Sequence, residues 1–185
     1  MSDEMLNVLE QINLSANRLV GSISDDQWGA STPCSEWTVR DLVNHMAGTT
    51  KLFGASAGRL PFEPPTDGDN LGSDPVAAFA GATESSAAAW HSEGALEGMV
   101  TLPQEMPAVA CLGVNIIDIG THCWDLATAI GAEHGLTDET VAVIDQWNRQ
   151  IVSDEVRSRG GFGSIIDAGD ADGMPAMLAF VGRRG

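Results

Sequence analysis

A mainly α-helical bundle is the fold class this sequence predicts, on three observations. Apolar residues recur at intervals of three and four through long stretches of the chain, the repeat of a helix with one buried face. Proline and glycine gather in short segments between those stretches, where turns belong. Extended chain is indicated in only one short place, MVTL at 99–102, which is flanked by Gly and Pro. At 185 residues the chain can bury a core without cross-links, and it is expected to form a single domain over 1–185.

The elements follow in order. From Met5 to Val20 the residues Met5, Leu9, Ile12, Ala16 and Leu19 mark one amphipathic helix, with Leu6 and Val8 widening its stripe. The segment GSISDDQWGASTPCSEW is a connection, with a short helical turn around Asp25 to Trp28. Thr38 then caps a second helix, and Asp41 three residues on completes a variant of the capping box. This helix is expected to run from Val39 to about Leu60, where Pro61, Pro64 and Pro65 stop it. PFEPPTDGDNLGSD reads as a surface loop. A third helix has Asp74 or Ser73 as its cap, Pro75 in its first turn, and Val76, Phe79, Ala80, Thr83, Ala87 and Trp90 on its buried face. A fourth runs from about Val109 to Ile130 and stops at Gly131. Thr137 begins a fifth carrying Val141, Ile144, Trp147, Ile151 and Val156, and GGFGSIIDAGDADG links it to a short final helix.

Composition excludes several partners. With 26 acidic against 9 basic residues the formal charge is −17, which repels phosphate backbones and anionic lipid, so neither nucleic acid nor membrane is expected. No apolar run reaches the roughly 18 residues of a membrane span. The N-terminal stretch opens on acids rather than the basic residues of a secretory signal. Cys34, Cys111 and Cys123 are odd in number and widely spaced, as expected for reduced thiols in the cytoplasm. A homodimer is compatible with all of this.

The chemistry is expected on the fourth helix. In CLGVNIIDIGTHCWDLATAIG an otherwise apolar helix carries Asp118, His122 and Asp125. At about 100° per residue, His122 lies roughly 40° to one side of Asp118 and Asp125 roughly 20° to the other, so the three share one face. A buried carboxylate there costs several kcal/mol unless it is paired or bound to a cation. On the second helix His45 falls at the edge of the core face among Leu42, Val43 and Met46. Two imidazoles and a carboxylate from facing helices form a ligand set that zinc accepts, and nickel, iron(II) or manganese can use it too. The same residues also read as a hydrogen-bonded polar core without an ion, with Asp118 as partner of His122. Asp125 reads either as the carboxylate that orients an imidazole or as a buried cap.

Elsewhere the plain readings win. His91 suits the end of the third helix, and His134 belongs to an exposed turn. Cys123 points about 100° away from His122 and is expected to pack as a thiol. Cys34 is expected to be exposed in its turn. Trp28, Trp37, Trp90, Trp124 and Trp147 read as packing residues, and the GGFG near Gly160 as a flexible connection, since it lacks the Lys of a phosphate loop.

Three segments carry a resemblance: TPCSEWTVRDLVNHMAG, IIDIGTHCWDLATAIG and MLAFVGRR. In these the chain resembles the DinB-like metal-binding superfamily, and within it the actinobacterial group related to the N-terminal domain of mycothiol-dependent maleylpyruvate isomerase. The resemblance implies a four-helix bundle with up-down-down-up connectivity, here with an additional C-terminal helix. It implies a divalent metal on His45, Asp118 and His122, with Asp125 in support. Where the isomerase pattern has Glu this chain has the shorter Asp118, which leaves the identity of the ion open, with zinc expected first and nickel second. The chain lacks most of the isomerase's additional C-terminal domain, so maleylpyruvate itself is not the expected substrate. The function implied is a metal-dependent thiol S-transferase or isomerase acting on a small molecule, with mycothiol as co-substrate and Glu36 or Arg40 as candidate substrate contacts. The alternative is a non-catalytic metal-binding structural or sensing module.

Overall fold

The computed structural model describes residues 2–63, 68–158 and 160–184. Among them are seven helices, α1 (Ser2–Gly21), α2 (Val39–Ala57), α3 (Pro75–Trp90), α4 (Ala108–Ile130), α5 (Asp138–Ile151), α6 (Asp154–Ser158) and α7 (Gly173–Phe180). One antiparallel hairpin, β1 (Met99–Thr101) and β2 (Glu105–Pro107), lies between α3 and α4, where MVTL predicts extended chain. No helix among the described residues is long and apolar enough to cross a membrane.

Caps set the helix starts. The Thr38 hydroxyl accepts the Asp41 amide while the Asp41 carboxylate accepts the Thr38 amide, a reciprocal capping box that opens α2. Asp74 caps α3 through the Ala77 amide, and Thr137 caps α5 through that of Thr140. At the end of α4, Gly131 takes the left-handed conformation (φ 68°) that closes a helix.

Side-chain ties between helix ends fix the directions. Arg40 at the start of α2 binds Asp69 and the Gly72 carbonyl, which precede α3, and Arg59 just beyond α2 binds the carbonyls of Gly94 and Met99, which follow α3. α2 and α3 are therefore parallel. Asn17 of α1 meets Thr83, and Glu10 meets His91, so α1 opposes α3. Cys123 lies against the Ile12 carbonyl, while Arg18 and Gln27 reach the Glu133 and Ile130 carbonyls past the other end of α4, so α1 and α4 run together. The result is an up-down-down-up bundle in which α1 and α2 each flank both α3 and α4. Its core joins Leu9, Ile12 and Leu19 of α1 to Leu42 and Met46 of α2, Phe79 and Trp90 of α3, and Leu112, Ile116 and Ile119 of α4.

α5 closes over the outer side of α4 because two glycines leave room for it. A Cβ on Gly113 would stand 2.3 Å from the Trp147 ring, and one on Gly120 would stand 2.6 Å from Ile144. α7 packs on α5 in turn. The guanidinium groups of Arg149 and Arg157 both sit 4.8 Å from the centre of the Phe180 ring, and Arg157 donates to the Phe180 carbonyl.

Three details depart from the sequence reading. α2 ends at Ala57, before Leu60: Arg59 adopts a left-handed conformation (φ 58°) and Leu60 turns back to bond the Ala55 carbonyl, so termination precedes the prolines. Pro64 and Pro65 lie outside the described residues. The buried face of α3 is Phe79, Ala82, Thr83, Ser86 and Trp90, whereas Val76 and Ala80 are exposed and Ala87 only half-buried. Its rotation follows from Gly54 of α2, where a Cβ would stand 2.9 Å from Ser86 Cα and the backbones approach closely. Val156 belongs to the separate helix α6, since α5 ends at Ile151 with Val152 as its cap.

Candidate metal centre

The centre is assembled on the facing sides of α2 and α4. The capping box fixes where α2 begins, and one face of that helix then presents His45 and, one turn on, Thr49. α4, buried on most sides, presents Asp118, His122 and Asp125. His45 Nε2 lies 3.4 Å and His122 Nε2 3.8 Å from Asp118 Oδ1, and the three donor atoms lie within 4.8 Å of one another. Ligands held tetrahedrally at about 2.1 Å from zinc stand roughly 3.4 Å apart, so the spacing fits one divalent ion. Thr49 donates to the other carboxylate oxygen, Oδ2, at 2.7 Å, which leaves Oδ1 facing the imidazoles. The donor set of two imidazole nitrogens and one carboxylate oxygen is chemically suited to zinc or nickel.

Electrostatics favour an anionic carboxylate between the imidazoles. Burial disfavours the charged form of Asp118, but the His45 hydrogen bond, the His122 imidazole and the Thr49 hydroxyl outweigh it and lower its pKa. Burial likewise opposes protonation of His45, and the adjacent Asp118 carboxylate overcomes that and raises its pKa.

Beyond His122 the ring's other nitrogen is fixed. His122 Nδ1 lies 2.8 Å from Asp125 Oδ2, and Asp125 is wholly buried. Arg183, from the segment after α7, grips the same carboxylate with two bonds, Nε to Oδ1 at 2.7 Å and Nη2 to Oδ2 at 2.8 Å. The Cys34 thiol donates to Asp125 Oδ2 at 3.3 Å. Against the cost of burial, the His122 and Arg183 bonds hold the Asp125 carboxyl down at about 2. Burial and the Asp125 charge push the Cys34 thiol up to about 12, opposed by Arg183.

His45, Asp118, His122, Cys34 and Arg183 line a pocket of about 730 Å³, with Asp125 buried behind them. Trp37 stands over the imidazoles, its ring centre 4.7 Å from that of His45 and 6.1 Å from that of His122. Phe162 with its neighbouring glycines and Val181 of the C-terminal segment also line the pocket. That segment crosses itself where a Cβ on Gly182 would lie 2.6 Å from Gly163 Cα, a contact only glycine allows, and the crossing delivers Arg183 to Asp125.

The structure thus brings His45, Asp118, His122 and Asp125 together. It separates Glu36 and Arg40 from them: Glu36 is exposed in a left-handed turn (φ 72°), Arg40 pairs with Asp69 at 3.1 Å, and neither lines the pocket. His91 terminates α3 and bonds Glu10 at 2.7 Å, and Cys123 is a fully buried thiol, both away from the site. His134 is half-buried rather than exposed, because its Nδ1 accepts the Leu136 amide. Four site features escape sequence reasoning. Cys34 is half-buried in the pocket rather than exposed, Trp37 covers the imidazoles, GGFG forms a wall, and Arg183 anchors Asp125. The signal for Trp37 is its place immediately before the capping box, which fixes it at the mouth of α2.

Comparison with known proteins follows the same helices. The profile of the family described as "Mycothiol maleylpyruvate isomerase N-terminal domain" matches residues 9–127. Two relatives from strains of Mycobacterium tuberculosis, "Uncharacterized protein MT0763" and "Uncharacterized protein Rv0738", are each 36% identical over 143 residues, covering 77% of this chain and 76% of the relative. No solved structure gives a significant match. With most of the chain matched by the family profile, and the larger part of α1, all of α2 and α3 and nearly all of α4 within it, this protein belongs to the family of the mycothiol maleylpyruvate isomerase N-terminal domain.

Proposed function

We propose that this protein is a metal-dependent thiol S-transferase or isomerase acting on a small molecule, with zinc or nickel held by His45, Asp118 and His122 and mycothiol as the thiol co-substrate. The observation that carries this reading is the convergence of three donor atoms within 4.8 Å of one another on the wall of a pocket of about 730 Å³. When bound, a divalent ion at that place supplies a Lewis acid that lowers the pKa of a thiol. The chain's own residues bind and orient. Thr49 and the Asp125–Arg183 pair fix the carboxylate and imidazole, while Trp37, Ile117 and Phe162 give the pocket an apolar wall that keeps water from a small organic substrate.

A purely structural ion would be expected to have its coordination filled by protein groups. Three donors beside a roomy pocket support turnover instead. The test is to strip the purified protein with EDTA, reload it with zinc or nickel, measure the ion stoichiometry, and screen thiol conjugation with mycothiol. One ion per chain and thiol consumption abolished in His122→Ala are expected. Equal consumption by the stripped protein would defeat the proposal.

A further inference from the structure

His122 belongs to two candidate ligand groups, one through each ring nitrogen. Its Nε2 faces His45 and Asp118; its Nδ1 faces Asp125 and Cys34, whose Sγ lies 3.9 Å away. Cys34, His122 and Asp125 place their donor atoms within 4.8 Å of one another, as tightly as the first group does. A thiolate, an imidazole nitrogen and a carboxylate form a donor set that suits softer divalent ions better than the first group, which has no sulfur. In this structure a cation already stands there. The Arg183 guanidinium contacts both Asp125 oxygens and lies 3.8 Å from Cys34 Sγ.

We infer that Arg183 is the resident cation of a second, latent metal-ligating niche formed by Cys34, His122 and Asp125, and that by filling it Arg183 confines a divalent ion to the Nε2 side of His122. This rests on the metal reading proposed above and adds to it what selects the ion's position. A planar guanidinium satisfies both carboxylate oxygens at once and cannot be deprotonated, so it excludes a second cation by charge as well as by volume. Held in that way, Asp125 accepts the Nδ1 proton of His122, which leaves the Nε2 lone pair for the ion. The crossing at Gly163 and Gly182 makes the plug a built feature, since it sets the backbone from which Arg183 reaches inward.

Cadmium is the probe, because cadmium bound to thiolate absorbs in the ultraviolet and cadmium bound to imidazole and carboxylate does not. The wild-type chain is expected to take up one cadmium with no thiolate absorption. Arg183→Met should take up a second equivalent and gain the absorption, releasing the Cys34 thiol proton and the His122 Nδ1 proton to buffer, and adding Cys34→Ser should remove both gains. Arg183→Gln carries no charge but can still donate to Asp125, so it keeps that carboxylate partnered should the Met variant fail to fold; it too should gain the absorption. The inference is overturned if wild type already shows a thiolate band that Cys34→Ser abolishes. It is equally overturned if the folded Arg183 variants match wild type in stoichiometry and spectrum while wild type binds one ion, an outcome that leaves the metal reading intact. A wild type that binds neither cadmium nor zinc defeats both.

Discussion

Asp125 is the residue on which the most interactions converge, and its chemistry makes a measurable prediction. It is wholly buried, yet the His122 and Arg183 bonds hold its carboxyl at about 2, below the ordinary value of 3.8. A carboxylate whose folded pKa is depressed contributes stability that is fully present above its unfolded pKa and lost as pH falls toward the folded one. The window is therefore between about pH 4 and pH 2, and a depression of this size corresponds to a loss on the order of 2 kcal/mol across it. In the metal-free protein, Asp125→Asn should be less stable at neutral pH, because Arg183 loses its counter-charge, but should lose less further stability over that acid window than wild type does. Denaturant titrations at steps of pH would show this as converging curves; parallel curves would mean that the carboxylate is not the group being titrated. At the same scale, His45→Ala and His122→Ala should each abolish tight zinc uptake, whereas His91→Ala, whose ring only bonds Glu10, should leave it unchanged.

At the scale of elements, the glycines separate close packing from open helix surface. Gly113→Ala places a methyl 2.3 Å from the Trp147 ring, so α5 must shift away from α4, at a cost of about 1–3 kcal/mol in thermal or denaturant melts. Gly81→Ala in α3 meets nothing within 4 Å and should instead stabilise by about 0.4–1 kcal/mol through lower unfolded-chain entropy. Should both substitutions prove neutral, the packing of α5 on α4 would be looser than the structure requires. Helix boundaries are legible in the sequence at Thr38, Asp74, Gly131 and Thr137, where a cap or glycine marks them, but not at the end of α3, which stops at Trp90 before Gly94. The face of α3 is not legible either, because a helix rich in Ala, Gly and Ser has little contrast between its sides, and only the Gly54–Ser86 approach fixes its rotation. On α4 the opposite holds. Carboxylates and an imidazole inside an apolar helix need partners, so Asp118, His122 and Asp125 could be picked out without coordinates. Cys34 and Arg183 could not, for they stand in irregular segments at opposite ends of the chain, and no periodicity relates two loops that only the folded bundle brings together.

For the whole molecule, the ion is expected to join parts that the chain itself connects only loosely. It would tie α2 to α4 directly, and through His122, Asp125 and Arg183 it would also hold the segment after α7. Anything that binds the folded state alone stabilises it by mass action, by about 4 kcal/mol at a thousandfold excess over the dissociation constant. Zinc should therefore raise the melting temperature of the EDTA-stripped protein, and EDTA should reverse the gain. The formal charge of −17 offers a competing explanation, because any divalent cation relieves self-repulsion in so acidic a protein. Ionic strength separates the two. Relief of surface repulsion is screened within a Debye length of about 8 Å at physiological salt and fades further as salt rises, whereas direct coordination by partly buried ligands is screened less. The zinc-induced rise should persist at high salt, be absent from His45→Ala, and exceed that from calcium, a hard ion that prefers six or more oxygen ligands. If calcium gives the same rise, or if His45→Ala retains it, the stabilisation is a response of the acidic surface, and His45, Asp118 and His122 do not hold the ion.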